Sequence, residues 1–161
     1  MADLLTHYVS ARLAGLRVRS RATATLFAAG VFLPDLLGKP LVFLPGTPPL
    51  LEVPSHTPFG LIFACGAVSL IFASGLRLRA FTALYLGSLL HVLLDLMKDY
   101  LGSGSVFLLH PFTLDTFELG LYRSEDVFYL LPVNVAILLI LWAVRRYRRV
   151  TSPPGAGVTN P

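Results

Sequence analysis

The chain has 161 residues, of which 55% are hydrophobic and only 14% are charged, and its mean hydropathy is +0.70. Because a soluble domain carries about 25% charged residues, this composition argues against an ordinary soluble protein and predicts an integral membrane protein. The formal net charge of +4 does not indicate nucleic-acid binding, because the basic residues cluster at the ends of apolar runs. The length suits one membrane-embedded domain, residues 1–150, followed by a Pro- and Gly-rich tail, residues 151–161, that is predicted to be disordered.

The first two segments introduce candidate polar residues. Segment one, residues 3–18, places His7 opposite its apolar face, which fits either a helix lying on the membrane or a short helix packed inside a bundle. Segment two, residues 22–37, is apolar up to Pro34 and Asp35. Because the residue before a proline is biased away from helical geometry, we expect the helix to end or break there and a loop to follow.

The later segments read as membrane helices. Thr57 followed by Pro58 is typical of a helix N-cap and a first helical position, so a helix is predicted from there to Leu76. A further helix is predicted over residues 80–100. The last helix is predicted over residues 124–144, where a serine cap and two acids precede a long apolar run.

His91 and Asp95 are ionisable residues inside one of these apolar helices. They are four residues apart, so they lie one turn apart on the same helix face. An ionisable side chain within a membrane span is costly and is therefore a candidate functional residue. Imidazole and carboxylate groups are ligands for zinc-like ions, which favours metal binding. The alternative is a buried polar pair that holds helices together.

Three arginine clusters, within residues 17–21, 77–79 and 145–149, indicate how the helices cross the membrane. Since basic residues flank cytoplasmic helix ends, all three clusters can lie inside, which predicts four or five spans and a cytoplasmic C-terminus. Counting about 1.5 Å per helical residue from these clusters puts several polar residues in the middle to outer part of the bundle. These candidate metal ligands are His7, Asp35, His56, His91 and Asp95.

The order of several short elements resembles that of one known family. The elements are Thr6-His7, Leu33-Pro34-Asp35, Ser55-His56-Thr57, His91-Val92-Leu93-Leu94-Asp95 and Pro111-Phe112. Over roughly residues 1–115, the chain resembles the bacterial inner-membrane family of membrane-bound metal-dependent hydrolases. Its His/Asp set is more distantly similar to that of zinc-dependent phospholipase C. The resemblance implies a bacterial inner-membrane location and a ligand set made of His7, Asp35, His56, His91 and Asp95.

We therefore expect an all-α membrane bundle whose metal site opens to the outer face. Three neutral histidines and two carboxylates suit one or two divalent ions, zinc or alternatively manganese, with Asp35 or Asp95 as a bridging carboxylate in the catalytic centre. The expected activity is hydrolysis of an ester or phosphoester, with lipid-linked compounds among the candidate substrates and membrane lipids as partners. The alternative is a non-enzymatic membrane protein that uses the same residues for metal binding, transport or helix packing.

Other polar residues have smaller expected roles. His110 is expected to be structural or substrate-facing. Asp3 and Asp99 either orient a ligating imidazole or are solvated charges near helix ends. A nucleophilic role for Ser55, next to His56, is disfavoured because the sequence shows neither an oxyanion loop nor a third partner.

Overall fold

A computed structural model of the chain describes residues 4–16, 18, 20–42, 45–46, 53–99, 106–123 and 126–151. The elements in chain order are helix α1 (Leu4–Gly15), helix α2 (Arg21–Val42), a short 3-10 helix (Val53–His56), helix α3 (Pro58–Ser69), helix α4 (Ser74–Leu96), strand β1 (Lys98–Asp99), strand β2 (Tyr122–Arg123) and helix α5 (Val127–Thr151). The two strands have two residues each and pair with one another. The expected all-α bundle is therefore confirmed.

Three of the described helices have the length and apolar character to cross a membrane, over Arg21–Leu41, Ser74–Leu96 and Tyr129–Tyr147. Helices α1 and α3 have 12 residues each. Twelve helical residues extend about 18 Å, which is shorter than the roughly 30 Å hydrocarbon core of a bilayer. Four or five segments were expected to cross the membrane. In the described part of the chain, three helices are long enough to do so.

Helix α2 differs from the prediction at Pro34, where a break was expected. The helix continues from Arg21 through Pro34 and Pro40 to Val42, so Asp35 lies inside the helix and not at its end. A proline removes one backbone hydrogen bond, but tertiary packing overrides such local preferences, and membrane helices tolerate interior prolines. The ring of Pro34 is fully buried, which shows that packing dominates here.

The predicted start of α3 is confirmed, but its predicted end at Leu76 is wrong. The Thr57 hydroxyl accepts a hydrogen bond from the Gly60 backbone N–H at 3.0 Å, as an N-cap does. After Ser69 the backbone N–H groups bond to the carbonyl oxygens three residues earlier, as in a tight turn, and α4 begins at Ser74. The turn itself consists of apolar residues, so hydropathy could not reveal it.

Helix α5 also extends further than expected. It runs from Val127 to Thr151 and continues through the arginine cluster that was expected to end it, with Pro132 inside the helix. Its expected cap, Ser124, lies outside the described residues. The tail after Thr151 lies outside them too, so its disorder stays a prediction.

Helices α2 and α4 approach each other closely at two glycines. A Cβ atom added to Gly30 would lie 2.1 Å from the Leu84 carbonyl oxygen, and one added to Gly87 would lie 2.1 Å from the Phe27 carbonyl oxygen. The Ser88 hydroxyl joins the same contact by donating a hydrogen bond to the Gly30 carbonyl oxygen at 2.9 Å. Small residues at a close helix crossing are typical of packing in membranes. We call this contact the glycine crossing.

We expect Gly87→Ala to destabilise the protein by at least about 1–3 kcal/mol, because the new methyl group meets backbone atoms that cannot move aside. Gly75→Ala, near the start of the same helix, is the matched control. A Cβ at Gly75 has nothing within 4 Å, so this change should be neutral or stabilise by up to about 1 kcal/mol. Thermal unfolding in one detergent measures both. Equal midpoints for the two variants would contradict the close approach at Gly87.

The segment after α4 folds back onto the bundle. Strand β1 runs parallel to β2 with Lys98 opposite Tyr122. The Tyr122 hydroxyl donates a hydrogen bond to the Leu94 carbonyl oxygen at 3.2 Å, and Val106 packs in a buried cluster with Val92. These contacts hold Lys98, two residues after the last residue of α4, against the end of the helix.

Candidate metal centre

Five polar side chains from four elements converge beyond the glycine crossing. Helix α1 supplies His7, α2 supplies Asp35, the 3-10 helix supplies His56, and α4 supplies His91 and Asp95 one turn apart. The structure therefore brings together every residue that the sequence analysis selected as a candidate ligand. Asp35 follows the glycine crossing in α2, and His91 follows it in α4. Because these two residues face each other, α2 and α4 run in the same direction.

His91 lies at the middle of this group. Its Nε2 atom is 3.0 Å from Oδ2 of Asp95 and 3.7 Å from Oδ1 of Asp35. The Nε2 atom of His56 is 3.5 Å from Oδ1 of Asp35, and the Nε2 atom of His7 is 3.6 Å from Oδ1 of Asp95. The His91 ring centroid lies 4.3 Å from that of His7 and 5.4 Å from that of His56. Each imidazole thus turns the same nitrogen towards a carboxylate.

Most of these separations are long for hydrogen bonds and resemble distances between ligands of one ion. An N–H···O hydrogen bond spans about 2.7–3.2 Å. Ligand atoms bound about 2.0–2.2 Å from a tetrahedral zinc ion lie roughly 3.3–3.6 Å from one another. Two overlapping groups, His7 with His91 and Asp95, and Asp35 with His56 and His91, have ligand atoms within 4.8 Å of one another. These buried His/Asp groups could hold a metal ion.

The burial of these side chains supports their assignment as a group that could hold a metal ion. His7 and His91 are 1% exposed, Asp95 is 6% exposed and Asp35 is 8% exposed. Both ring nitrogens of His91 are inaccessible to solvent and make no hydrogen bond within the described residues, although Nε2 lies close to Asp95. A buried polar atom without a partner costs about 1–3 kcal/mol. Coordination to an ion would satisfy one of these two nitrogens.

Helix α1 turns His7 into the bundle. Tyr8 and Leu13 face outward, whereas Ala11 is buried together with His7. Of the two interpretations left open for segment one, the packed helix is therefore correct, and the arrangement with His7 facing water is wrong. Helix α5 supports this placement, because the Asn134 side-chain amide donates a hydrogen bond to the hydroxyl of Thr6 at 2.7 Å.

Ser55 holds the ring of His56. The Ser55 Oγ atom lies 2.8 Å from Nδ1 of His56. With the proton on Nδ1, His56 donates to Ser55 and its Nε2 lone pair points towards Asp35, as is usual for a histidine that binds a metal. Ser55, His56 and Asp35 are also the three residue types of a Ser-His-Asp triad. Asp35 would be the third partner that the sequence did not show. The 3.5 Å gap between His56 and Asp35 is long for such a relay.

We expect Ser55→Ala to weaken metal binding about 10–100-fold, because the His56 ring loses the partner on its remote nitrogen. Competition with a chromophoric chelator measures the change in Kd. Ser69→Ala is the matched control, since that hydroxyl donates to the Gly66 carbonyl oxygen at the opposite end of α3. Equal affinities in the two variants would show that Ser55 does not position the ligand.

Two lysines that sequence reasoning missed complete the site. Lys39 donates to Oδ2 of Asp35, and Lys98 donates to Oδ1 of Asp95. The Lys98 side chain is 3% exposed, and that of Lys39 is 32% exposed. Each lysine follows its aspartate by three or four residues, so the spacing of opposite charges along a helix was the available signal.

Each lysine pairs with one oxygen of its aspartate, and histidines approach both aspartates. Asp35 offers Oδ2 to Lys39 and Oδ1 to His56 and His91. Asp95 offers Oδ2 to His91, whereas its Oδ1 faces both Lys98 and His7. A ligating carboxylate is ordinarily held in this way by a hydrogen bond to the rest of its group. The lysine contacts therefore fit a metal site in which Asp35 binds through Oδ1 and Asp95 binds through Oδ2.

The remaining candidate residues lie apart from these contacts. Asp99 forms an ion pair with Arg123, with 3.5 Å between Oδ2 and Nε. His110 is half-buried, precedes the cis-bonded Pro111 and belongs to neither group of candidate ligands. Asp3 lies outside the described residues.

The fold and the site define a helical bundle of membrane-spanning character with a buried His/Asp centre that could hold a metal ion. Comparisons with protein-family models, with curated proteins and with solved structures find no match to this chain. The resemblance to the membrane-bound metal-dependent hydrolases therefore stays a prediction, and the function has to follow from the residues of the site.

Proposed function

We propose that this chain is a metal-dependent hydrolase of the bacterial inner membrane that acts on an ester or phosphoester at the outer face. The observation that carries the proposal is the convergence of three imidazoles and two carboxylates in two overlapping, largely buried groups that share His91. The burial of His91 supports the proposal, because its Nδ1 atom makes no hydrogen bond in the described chain and its Nε2 atom faces two carboxylates.

The shared position of His91 limits the number of ions. Both candidate groups approach its Nε2 atom. Because one ring nitrogen binds one ion, the two groups cannot both be completed through that atom. We infer one firmly held ion per chain, and any second ion would depend on a carboxylate bridge through Asp35 or Asp95. Imidazole and carboxylate ligands suit zinc, with manganese as the alternative.

The chain's own residues would bind and orient the reacting groups. A bound divalent ion supplies Lewis-acid polarisation and a nucleophile at neutral pH. Lys39 and Lys98 balance the charge of the two aspartates, so the two extra positive charges of a divalent ion would remain to be compensated. In a water-poor site this favours an anionic substrate group, such as a phosphodiester, over a neutral one.

The site opens on one side. The side chains of His56 and Lys39 are 18% and 32% exposed, whereas His7 and His91 are enclosed. Towards the basic ends of α2 and α4, the glycine crossing and a buried cluster that includes Leu33 close the helix interface. An opening on one side with a closed floor supports hydrolysis over transport, because a transporter needs access from both sides.

A second candidate function is non-enzymatic and rests on the two lysines. Two ammonium groups neutralise the two carboxylates, so the cluster can persist without an ion as a polar core that joins α1, α2 and α4. In this case the residues would serve helix packing, or would bind metal without turning over a substrate.

Assays on the detergent-purified protein test the proposal. The protein is loaded with zinc or manganese and given nitrophenyl phosphomonoesters, phosphodiesters and carboxyl esters, and phospholipids in mixed micelles. We expect hydrolysis that a chelator removes and that the same metal restores. Stoichiometric metal without turnover would favour the non-enzymatic candidate. Hydrolysis that survives the chelator and is lost in Ser55→Ala would replace the metal mechanism by a serine nucleophile.

A further inference from the structure

A cavity with no role in the proposed function lies towards the basic ends of α1, α2 and α5. It is a cleft of about 670 Å³ between α1, α2 and α5. Arg12, on its α1 wall, follows His7 by five residues, or roughly 7.5 Å along the helix. Arg21, on its α2 wall, precedes Asp35 by 14 residues, or roughly 21 Å. None of the candidate metal ligands lines the cleft, although Tyr8, the residue after His7, does.

Three arginines from three helices line this cleft: Arg12, Arg21 and Arg145. None of the described residues that line it is acidic. In the part of the chain that the structure describes, none of the three arginines forms an ion pair. The guanidinium of Arg12 lies 5.9 Å from the ring centroid of Tyr8, which holds it in the wall by a cation–π contact. The cleft thus offers positive charge without an internal counter-ion.

The rest of the lining is small or apolar. Alanine and glycine residues of α1 and α2 create the space, and Leu16 and Val18 border it. Guanidinium groups bind phosphate oxygens in pairs, and basic pockets between membrane helices bind lipid headgroups. An apolar wall beside the arginines suits a phosphate that is attached to a hydrocarbon chain.

We propose that this cleft binds a phosphate group, and that its apolar lining selects the phosphate of an anionic phospholipid. By the rule that basic residues face the cytoplasm, the lipid would belong to the inner leaflet. The site would be a permanent lipid anchor for α1, which bears both Arg12 and the candidate ligand His7. This inference does not depend on the proposed hydrolase activity.

The full chain in a maltoside detergent provides the test, with lipid binding measured by native mass spectrometry during titration. Phosphatidylglycerol is compared with phosphatidylcholine, and inorganic phosphate at millimolar concentration is added as a competitor. We expect tighter binding of phosphatidylglycerol, weakened about five-fold in Arg145→Gln. Arg146→Gln is the matched control, because the neighbouring guanidinium lies over the ring of Trp142 and does not line the cleft.

Each outcome bears on the proposal. Competition by inorganic phosphate would support the site and identify free phosphate as a second source of the ligand, whereas no competition would assign it to the lipid. Equal binding of the two lipids, or equal losses in Arg145→Gln and Arg146→Gln, would overturn it in favour of general surface charge. Both arginines are exposed, so unchanged unfolding midpoints are expected to confirm that the variants are folded.

Discussion

His91→Ala is expected to abolish stoichiometric metal binding, with an affinity loss above about 100-fold. His91 is the only residue that belongs to both groups of candidate ligands among the described residues. Its Nε2 atom approaches both carboxylates, so removing the ring takes a ligand from either arrangement, whereas removing His7 or His56 affects one. Elemental analysis after dialysis against trace metal measures the ion retained per chain.

His110→Ala is the control for this experiment, since it removes a histidine that lies outside both groups. His91→Gln serves as a second variant that keeps most of the side-chain volume, so loss of the ion can be separated from collapse of a cavity. The double variant His91→Ala with Asp95→Ala should retain no ion. If wild-type protein binds no zinc or manganese after add-back, or if His91→Ala binds as much as wild type, the metal centre does not exist and the cluster serves packing.

Lys98→Met is expected to destabilise the metal-free protein by about 3–5 kcal/mol, because it leaves the buried Asp95 carboxylate without its counter-ion. This corresponds to a fall of roughly 6–20 °C in the thermal midpoint. A divalent ion would supply the missing positive charge. We therefore expect added zinc to raise the midpoint of Lys98→Met by more than it raises that of the wild type.

Lys39→Met is the matched control for Lys98→Met. The Lys39 side chain is 32% exposed, so water screens the Asp35 carboxylate when this lysine is lost, and a smaller fall in the midpoint is expected. Zinc that stabilises Lys98→Met no more than wild type would show that the ion does not bind next to Asp95. Equal falls for both lysine variants would contradict the difference in burial on which the expectation rests.

Much of the site was predictable because ionisable residues are rare in apolar helices and therefore indicate a functional site. A histidine or aspartate inside a membrane helix is costly, so His91 and Asp95 were identifiable from the sequence. The arginine clusters gave a common reference from which the positions of the other candidate ligands across the membrane could be compared. That argument needed only about 1.5 Å per residue. It did not need correct helix ends, which explains why five candidate ligands could be selected although several helix boundaries were wrong.

The parts that sequence reasoning missed depend on contacts between distant residues. Pro34 indicates a break locally, whereas α2 continues through this residue, whose ring is buried among other parts of the chain. The end of α3 lies in a uniformly apolar stretch, so hydropathy does not distinguish the helix from the turn that follows it. The spacing of Asp95 and Lys98 indicated an ion pair, but lysine is ordinarily a surface residue, so the sequence did not indicate that Lys98 would be buried.

The glycine crossing also determines the relative height of the two aspartate-bearing helices. Asp35 lies five residues beyond Gly30, and His91 lies four residues beyond Gly87, so both are counted from one common point. A slip by one helical turn, about 5.4 Å, would separate Asp35 from His91 by more than any coordination bond allows. The close contact at the two glycines therefore sets the register that brings Asp35 and His91 together, and any ion bound by both residues depends on that register.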